Sequence, residues 1–158
     1  EETGPSDANE LDAWLRASTR ELLDALQAVP WDTPAWSWWK EDRTVGAIAR
    51  HQVQEAAVHR WDAQLAAVGN PDPLPIKLAE DGVDEFCWIT RQLRGLQPIA
   101  FHATDTGATF TAGEDEPVVT ASAPASDLVL LLYARISLDA VVVEGDRAVL
   151  DAFLVPIG

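Results

Sequence analysis

Basic residues are scarce in this chain: 11 Lys and Arg stand against 26 Asp and Glu, a formal net charge of −15. That balance argues against nucleic acid or an anionic membrane surface as partner, because both are polyanions. Long apolar runs are also missing. The longest, residues 128–133 with their flanks, is interrupted by Asp127 and Arg135 and falls well short of the roughly 18 to 20 residues that a membrane helix needs. Cysteine is down to one, Cys87, so no internal disulfide can form and a reducing, cytoplasmic compartment is the simpler reading. Its neighbours Phe86, Trp88 and Ile89 are apolar, which suits a buried, inert thiol. There is no internal repeat, no low-complexity segment and no signal-peptide pattern. The chain opens on Glu1-Glu2-Thr3-Gly4 without methionine, from which we expect an upstream segment of about two helices.

What is present reads as an α+β protein: an N-terminal antiparallel helical pair over residues 1–70, then a small α+β domain with a largely antiparallel sheet over residues 71–158. Residues 9–29 carry Leu11, Trp14, Leu15, Leu22, Leu26 and Val29 at helical spacing, with Ser6, Asp7 or Asn9 as cap and Pro30 as stop. A Pro-rich loop follows that holds Trp31, Trp36, Trp38 and Trp39, four of the seven tryptophans. Packing over helix ends is their expected job, with a ligand pocket as the rival reading. Residues 44–68 form the second helix, closed by Gly69-Asn70-Pro71. Such a hairpin leaves one face bare, so we expect it to dimerise through its helices.

Residues 71–75 read as a linker and 77–93 as a third helix, with Leu78, Val83, Phe86, Ile89 and Leu93 inward. Its acidic run Glu80, Asp81, Asp84 and Glu85 is expected on a solvated face. The period then changes to two. Strands are expected at 99–103, 108–111, 117–121 and 140–143, helices at 125–136 and 147–154, with Asp105-Thr106-Gly107 as a hairpin turn. Hairpins without regular βαβ units point to the α+β class.

One helix carries chemistry. Glu55 and His59 are four apart, about 40° in azimuth and ~6 Å in rise. A carboxylate and an imidazole so placed can grasp one divalent ion such as zinc, although an exposed helix ion pair has the same spacing. Asp62, three residues on, either accepts the second N–H of His59 and orients the ring, or is a surface carboxylate. His51 would lie ~12 Å from His59 along the helix, too far for both to reach one ion comfortably. A helix-surface or outer role suits it better. His102 lies in a strand and reads as structural, and Asp105 as a turn residue. Arg135, at the end of the apolar helix, could pair with a substrate carboxylate or simply favour the helix dipole.

The wider string resembles the mycothiol-dependent maleylpyruvate isomerase family, which belongs to the DinB-like metal-binding helical bundles of actinobacteria. It runs through Asp42-Arg43-Thr44-Val45-Gly46, Ala49-Arg50 and Glu55-Ala56-Ala57-Val58-His59-Arg60-Trp61-Asp62-Ala63, its most specific part. It continues through residues 78–86, 102–107, 126–132 and 145–150. The resemblance implies half of a four-helix bundle that binds a divalent metal such as zinc through Glu55 and His59, followed by a sterol-carrier-like α+β domain. It implies a mycothiol-dependent isomerase or thiol transferase acting on a small organic acid or electrophile. There a thiolate adds to an activated double bond, the resulting single bond rotates, and elimination restores the alkene. The family's third ligand, a histidine on an early helix, has no counterpart here, so weak metal occupancy is expected. The alternative function is a non-catalytic metal-binding or small-ligand-binding protein.

Overall fold

The computed structural model describes residues 4–37, 42–90 and 97–154. Contacts gather these into two compact units, residues 1–52 and 53–158.

In the first unit, α1 (Ala8–Gln27) starts at Asp7, whose Oδ1 accepts from the backbone N–H of Asn9 at 2.9 Å and of Glu10 at 3.2 Å. Two of the N–H groups that a helix start leaves unpaired are thereby satisfied. The amphipathic pattern is there, yet α1 buries none of its residues: Leu11, Trp14, Leu15 and Leu22 all remain exposed. The loop after Pro30 hydrogen-bonds to the start of α2 (Val45–Val68). Gly46 N–H donates to the Trp31 carbonyl at 2.8 Å and Val45 N–H to the Thr33 carbonyl at 3.0 Å. Thr44 caps this end, accepting from Ala47 N–H at 3.2 Å and donating to Asp42 Oδ1 at 2.7 Å. Here the tryptophans depart from expectation. Trp31 and Trp36 are 70% and 81% exposed, so the loop closes the helix end with its backbone rather than with indole rings. Trp38 and Trp39 lie outside the described residues.

The second unit holds the core. From α2 it takes Gln54, Ala57 and Val58, all buried. The Gln54 amide donates to the Leu78 carbonyl at 3.3 Å and to Asp81 Oδ2 at 3.1 Å, which satisfies the donor end of a fully buried polar group. The third helix, α3 (Ile76–Thr90), buries Ala79, Val83, Cys87 and also Glu85. The last is a correction: Glu85 is 3% exposed, not on a solvated face. The expected end of this helix, residues 91–93, lies outside the described residues.

Strands β1 (Ile99–Ala103), β2 (Thr109–Ala112), β3 (Val119–Ala123) and β4 (Val142–Gly145) form one sheet in the order β2-β1-β3-β4. The sheet is mixed, with antiparallel pairing in the majority. β1 pairs β2 antiparallel, Phe101 opposite Phe110, and β3 pairs β4 antiparallel, Ala121 opposite Val143. β1 and β3 run parallel, Phe101 opposite Ala121. Between β3 and β4 come α4 (Ala125–Leu132) and a 3₁₀ turn, Leu138–Ala140. That turn occupies the expected start of the last strand and pushes β4 two residues downstream. The last helix is α5 (Arg147–Phe153).

Beyond Ser126 and Asp127 in its first turn, α4 is apolar, and it is nearly all buried, as a helix between layers must be. It packs on α3, β1 and β3. Its start is capped neither by Ser126 nor by Asp127. Asp105 Oδ1, from the β1–β2 turn, accepts the Ala125 N–H at 3.0 Å, so a residue read as a plain turn member reaches across the fold to cap a helix. Ser126 is turned elsewhere and accepts the Leu74 N–H at 2.9 Å. Among the described residues no helix is long and apolar enough to cross a membrane.

Candidate metal-ligand pair and its brace

Glu55, His59 and Asp62 stand at i, i+4 and i+7 on α2, within about 60° of azimuth. Beside them runs the buried stripe of Gln54, Ala57 and Val58. The polar trio therefore lies along the rim of the core, with Glu55 and Asp62 half-buried and His59 facing solvent. Side-chain exposure is 36% for Glu55 and 34% for Asp62, against 65% for His59. His59 Nε2 lies 3.4 Å from Glu55 Oε2, and His59 Nδ1 lies 3.1 Å from Asp62 Oδ2.

The other half of the arrangement comes from the end of α4. The helix stops at Leu132, four residues short of the expected end. Ala134 enters the left-handed region at φ 58°, where its N–H donates to the Leu131 carbonyl at 2.9 Å. The next N–H, of Arg135, donates to the Leu130 carbonyl at 2.7 Å. This paired closure normally has glycine at the left-handed position. With alanine there the backbone carries about 1 kcal/mol of strain. The turn brings Arg135 to Asp62: Nε donates to Oδ1 at 3.1 Å and Nη2 to Oδ2 at 2.8 Å, while Nη1 donates to the Tyr133 carbonyl at 2.7 Å. So Arg135 lies beyond its helix and is held in a two-point ion pair, rather than ending the helix in favour of its dipole.

The electrostatics follow these contacts. The Arg135 guanidinium holds the Asp62 carboxyl below its ordinary range, and the His59 contact adds to this against an opposing effect of burial. Arg135 is pushed up in turn, first by the Asp62 hydrogen bonds. Burial pushes the Tyr133 hydroxyl up, and the negative charges of Glu85 and Glu55 add to that while Arg135 opposes it. Tyr133 therefore stays a neutral donor. Neither Glu85 nor Tyr133 is a site residue in the sequence reading. For Glu85 a signal existed: it falls seven residues after Leu78 and four before Ile89, on the inward edge of the helix, but the acidic run masked it.

His102 Nδ1 meets Thr109 Oγ1 at 3.0 Å across the β1–β2 ladder, a satisfied structural position. His51 belongs to the first unit. Among the described residues no group of three or more His, Cys, Asp and Glu side chains could hold a metal ion. Glu55 and His59 nevertheless suit one as a pair. Two ligands at about 2.0–2.1 Å on adjacent corners of a tetrahedron are about 3.3 Å apart, close to the 3.4 Å between their facing atoms.

Fold and site together define an α+β protein in which a helix-borne carboxylate–imidazole pair is braced by an arginine from the sheet domain. Residues 1–64 match the mycothiol maleylpyruvate isomerase N-terminal domain, and residues 88–152 match the MDMPI C-terminal domain. The chain belongs to the mycothiol maleylpyruvate isomerase family. Neither a curated protein nor a solved structure matches it. Glu55, His59 and Asp62 fall in the first matched segment and Arg135 in the second, so the Asp62–Arg135 ion pair joins the two.

Proposed function

We propose that this chain acts as a mycothiol-dependent, metal-assisted isomerase or thiol transferase on a small organic acid or electrophile. The observation that carries this reading is the Glu55–His59 pair, 3.4 Å apart on the helix that the family's N-terminal domain matches. Glu55 Oε2 and His59 Nε2 would hold a divalent ion, zinc by the nature of the donors. When bound, such an ion lowers the pKa of a thiol, so that thiolate is available near neutral pH.

The chain's own residues do the rest. Asp62 holds the far nitrogen of the imidazole. Arg135 spends three of its five N–H groups on Asp62 and Tyr133, which leaves two for the carboxylate of an acidic substrate. An acidic surface and a single buried thiol suit a small-molecule substrate and a cytoplasmic setting, and the same proposal includes both.

Zinc titration of the purified chain tests it. With two of the family's three ligands, wild type should bind zinc weakly, and His59→Ala or Glu55→Gln should bind at least about tenfold more weakly still, with unchanged circular dichroism. Equal zinc binding by His59→Ala would overturn the site. Zinc binding without turnover of maleylpyruvate in the presence of mycothiol would make the chain a binding protein instead.

A further inference from the structure

We infer that Arg135 and Asp62 form a positioning pair that fixes the tautomer of His59, so that the second matched segment of the chain controls a ligand carried by the first. For its functional meaning this rests on the reading of His59 as a metal ligand. The tautomer itself does not.

A carboxylate on a helix surface turns freely about its χ angles and offers either oxygen to any donor nearby. Asp62 cannot. The two-point contact with Arg135, 3.1 Å at Oδ1 and 2.8 Å at Oδ2, fixes the plane of the carboxylate. Arg135 is fixed in its turn by the Tyr133 carbonyl at 2.7 Å. The Tyr133 ring packs edge-on against Phe86, with centroids 6.0 Å apart. A line of rigid contacts therefore runs from the aromatic core to Oδ2, which it leaves 3.1 Å from His59 Nδ1.

An ion-paired carboxylate only accepts hydrogen bonds, so at that distance Nδ1 must donate. On a neutral ring the single proton is then committed to Nδ1, and the lone pair to Nε2. That lone pair faces Glu55 Oε2 across 3.4 Å. Two acceptors so placed repel each other unless a proton or a metal cation lies between them. The brace thus does more than stiffen α2: it selects the one neutral form of His59 that can share a cation with Glu55. The acceptor comes from α2 itself, three residues from His59, but the arginine that fixes it is 73 positions away.

The experiment is long-range ¹H–¹⁵N correlation spectroscopy of the metal-free chain labelled at histidine, at a pH where the imidazoles are neutral. His59→Gln assigns the signal among the three histidines. Wild-type His59 should show the Nδ1–H pattern. Asp62→Ala should move it to the Nε2–H pattern. Arg135→Gln should move it part of the way, and Arg135→Lys, which keeps charge without the fork, no less than halfway back toward wild type. In zinc competition, Asp62→Ala should weaken binding about tenfold to a hundredfold and Arg135→Gln by a smaller factor. A wild-type ring in the Nε2–H form overturns the inference outright, and needs no variant to fold. An unchanged Nδ1–H pattern in a folded Arg135→Gln protein overturns the part played by Arg135. The expected tautomer shifts in a protein that binds no zinc would uphold the positioning pair and defeat the proposed metal function.

Discussion

α1 and α2 make an instructive contrast. α1 has the sequence pattern of a helix that packs: apolar residues on one stripe, an aspartate cap and an i,i+4 Asp12–Arg16 pair on the polar side. It buries nothing. The part of α2 in the second unit has a weaker stripe, broken by the polar Gln54, and yet Gln54 and Val58 are among the most deeply buried side chains of the protein. An apolar stripe states what a helix would gain from cover. Whether it is covered depends on what lies against it. α2 gains its burial from small and hydrogen-bonded residues, with Gly82 of α3 close against Gln54.

The contrast would break most visibly in paired truncations. Leu128 on α4 is fully buried, whereas Leu15 on α1 is 57% exposed. Leu128→Ala should cost about 2–5 kcal/mol, and Leu15→Ala no more than about 0.5 kcal/mol, in chemical denaturation followed by circular dichroism. A Leu15→Ala cost of several kcal/mol would mean that α1 is covered in solution.

A smaller change sharpens the point about α2. A methyl group on Gly82 would sit 2.5 Å from Gln54 Oε1 and 3.1 Å from Val129 Cγ2. Gly82→Ala should therefore destabilise by about 1–3 kcal/mol through overpacking, despite alanine's better helix propensity. A stabilised Gly82→Ala protein would show that the Gln54 contact gives way easily.

The smallest expected effects are pH-dependent and belong to the second unit. Tyr133 has its pKa raised by burial and by Glu85 and Glu55. Its contribution is whole below the unfolded value, near pH 10, and is lost as pH climbs from there through the folded value. Asp62 is lowered by Arg135, so its contribution is whole above about pH 4 and is lost as pH falls through the folded value. Tyr133→Phe should flatten the alkaline limb of the stability profile and Asp62→Asn the acid limb. The pair is about one-third exposed, which limits the acid effect to about 1 kcal/mol. An unchanged alkaline limb in Tyr133→Phe would contradict the assignment, and Tyr133 is the sole tyrosine.

Local regularity was legible in the sequence. The first strand was read residue for residue as Ile99–Ala103, and the first three helices within about two residues at each described end. The misses have physical causes. The pattern runs α4 on to residue 136 because its stop is an alanine in the left-handed region, where a glycine would have announced it. The apolar run starts at Ala140, so the pattern starts β4 there, while the 3₁₀ turn over Leu138–Ala140 delays the strand to Val142. At the site, helical period alone put Glu55, His59 and Asp62 on one face. The grip of Arg135 on Asp62 is a contact between distant parts of the chain, and no spacing rule reaches it.

Cys87 is 1% exposed, in the last turn of α3, and it is the chain's single thiol. A thiol reagent can reach it only in the moments when α3 separates from the sheet domain. Its labelling rate is therefore a clock for local opening. Where reclosing outruns the reagent, that rate divided by the rate for a free thiol gives the fraction of time the core stands open. The protein carries its own reporter of breathing, next in sequence to Phe86, whose aromatic contact anchors the brace.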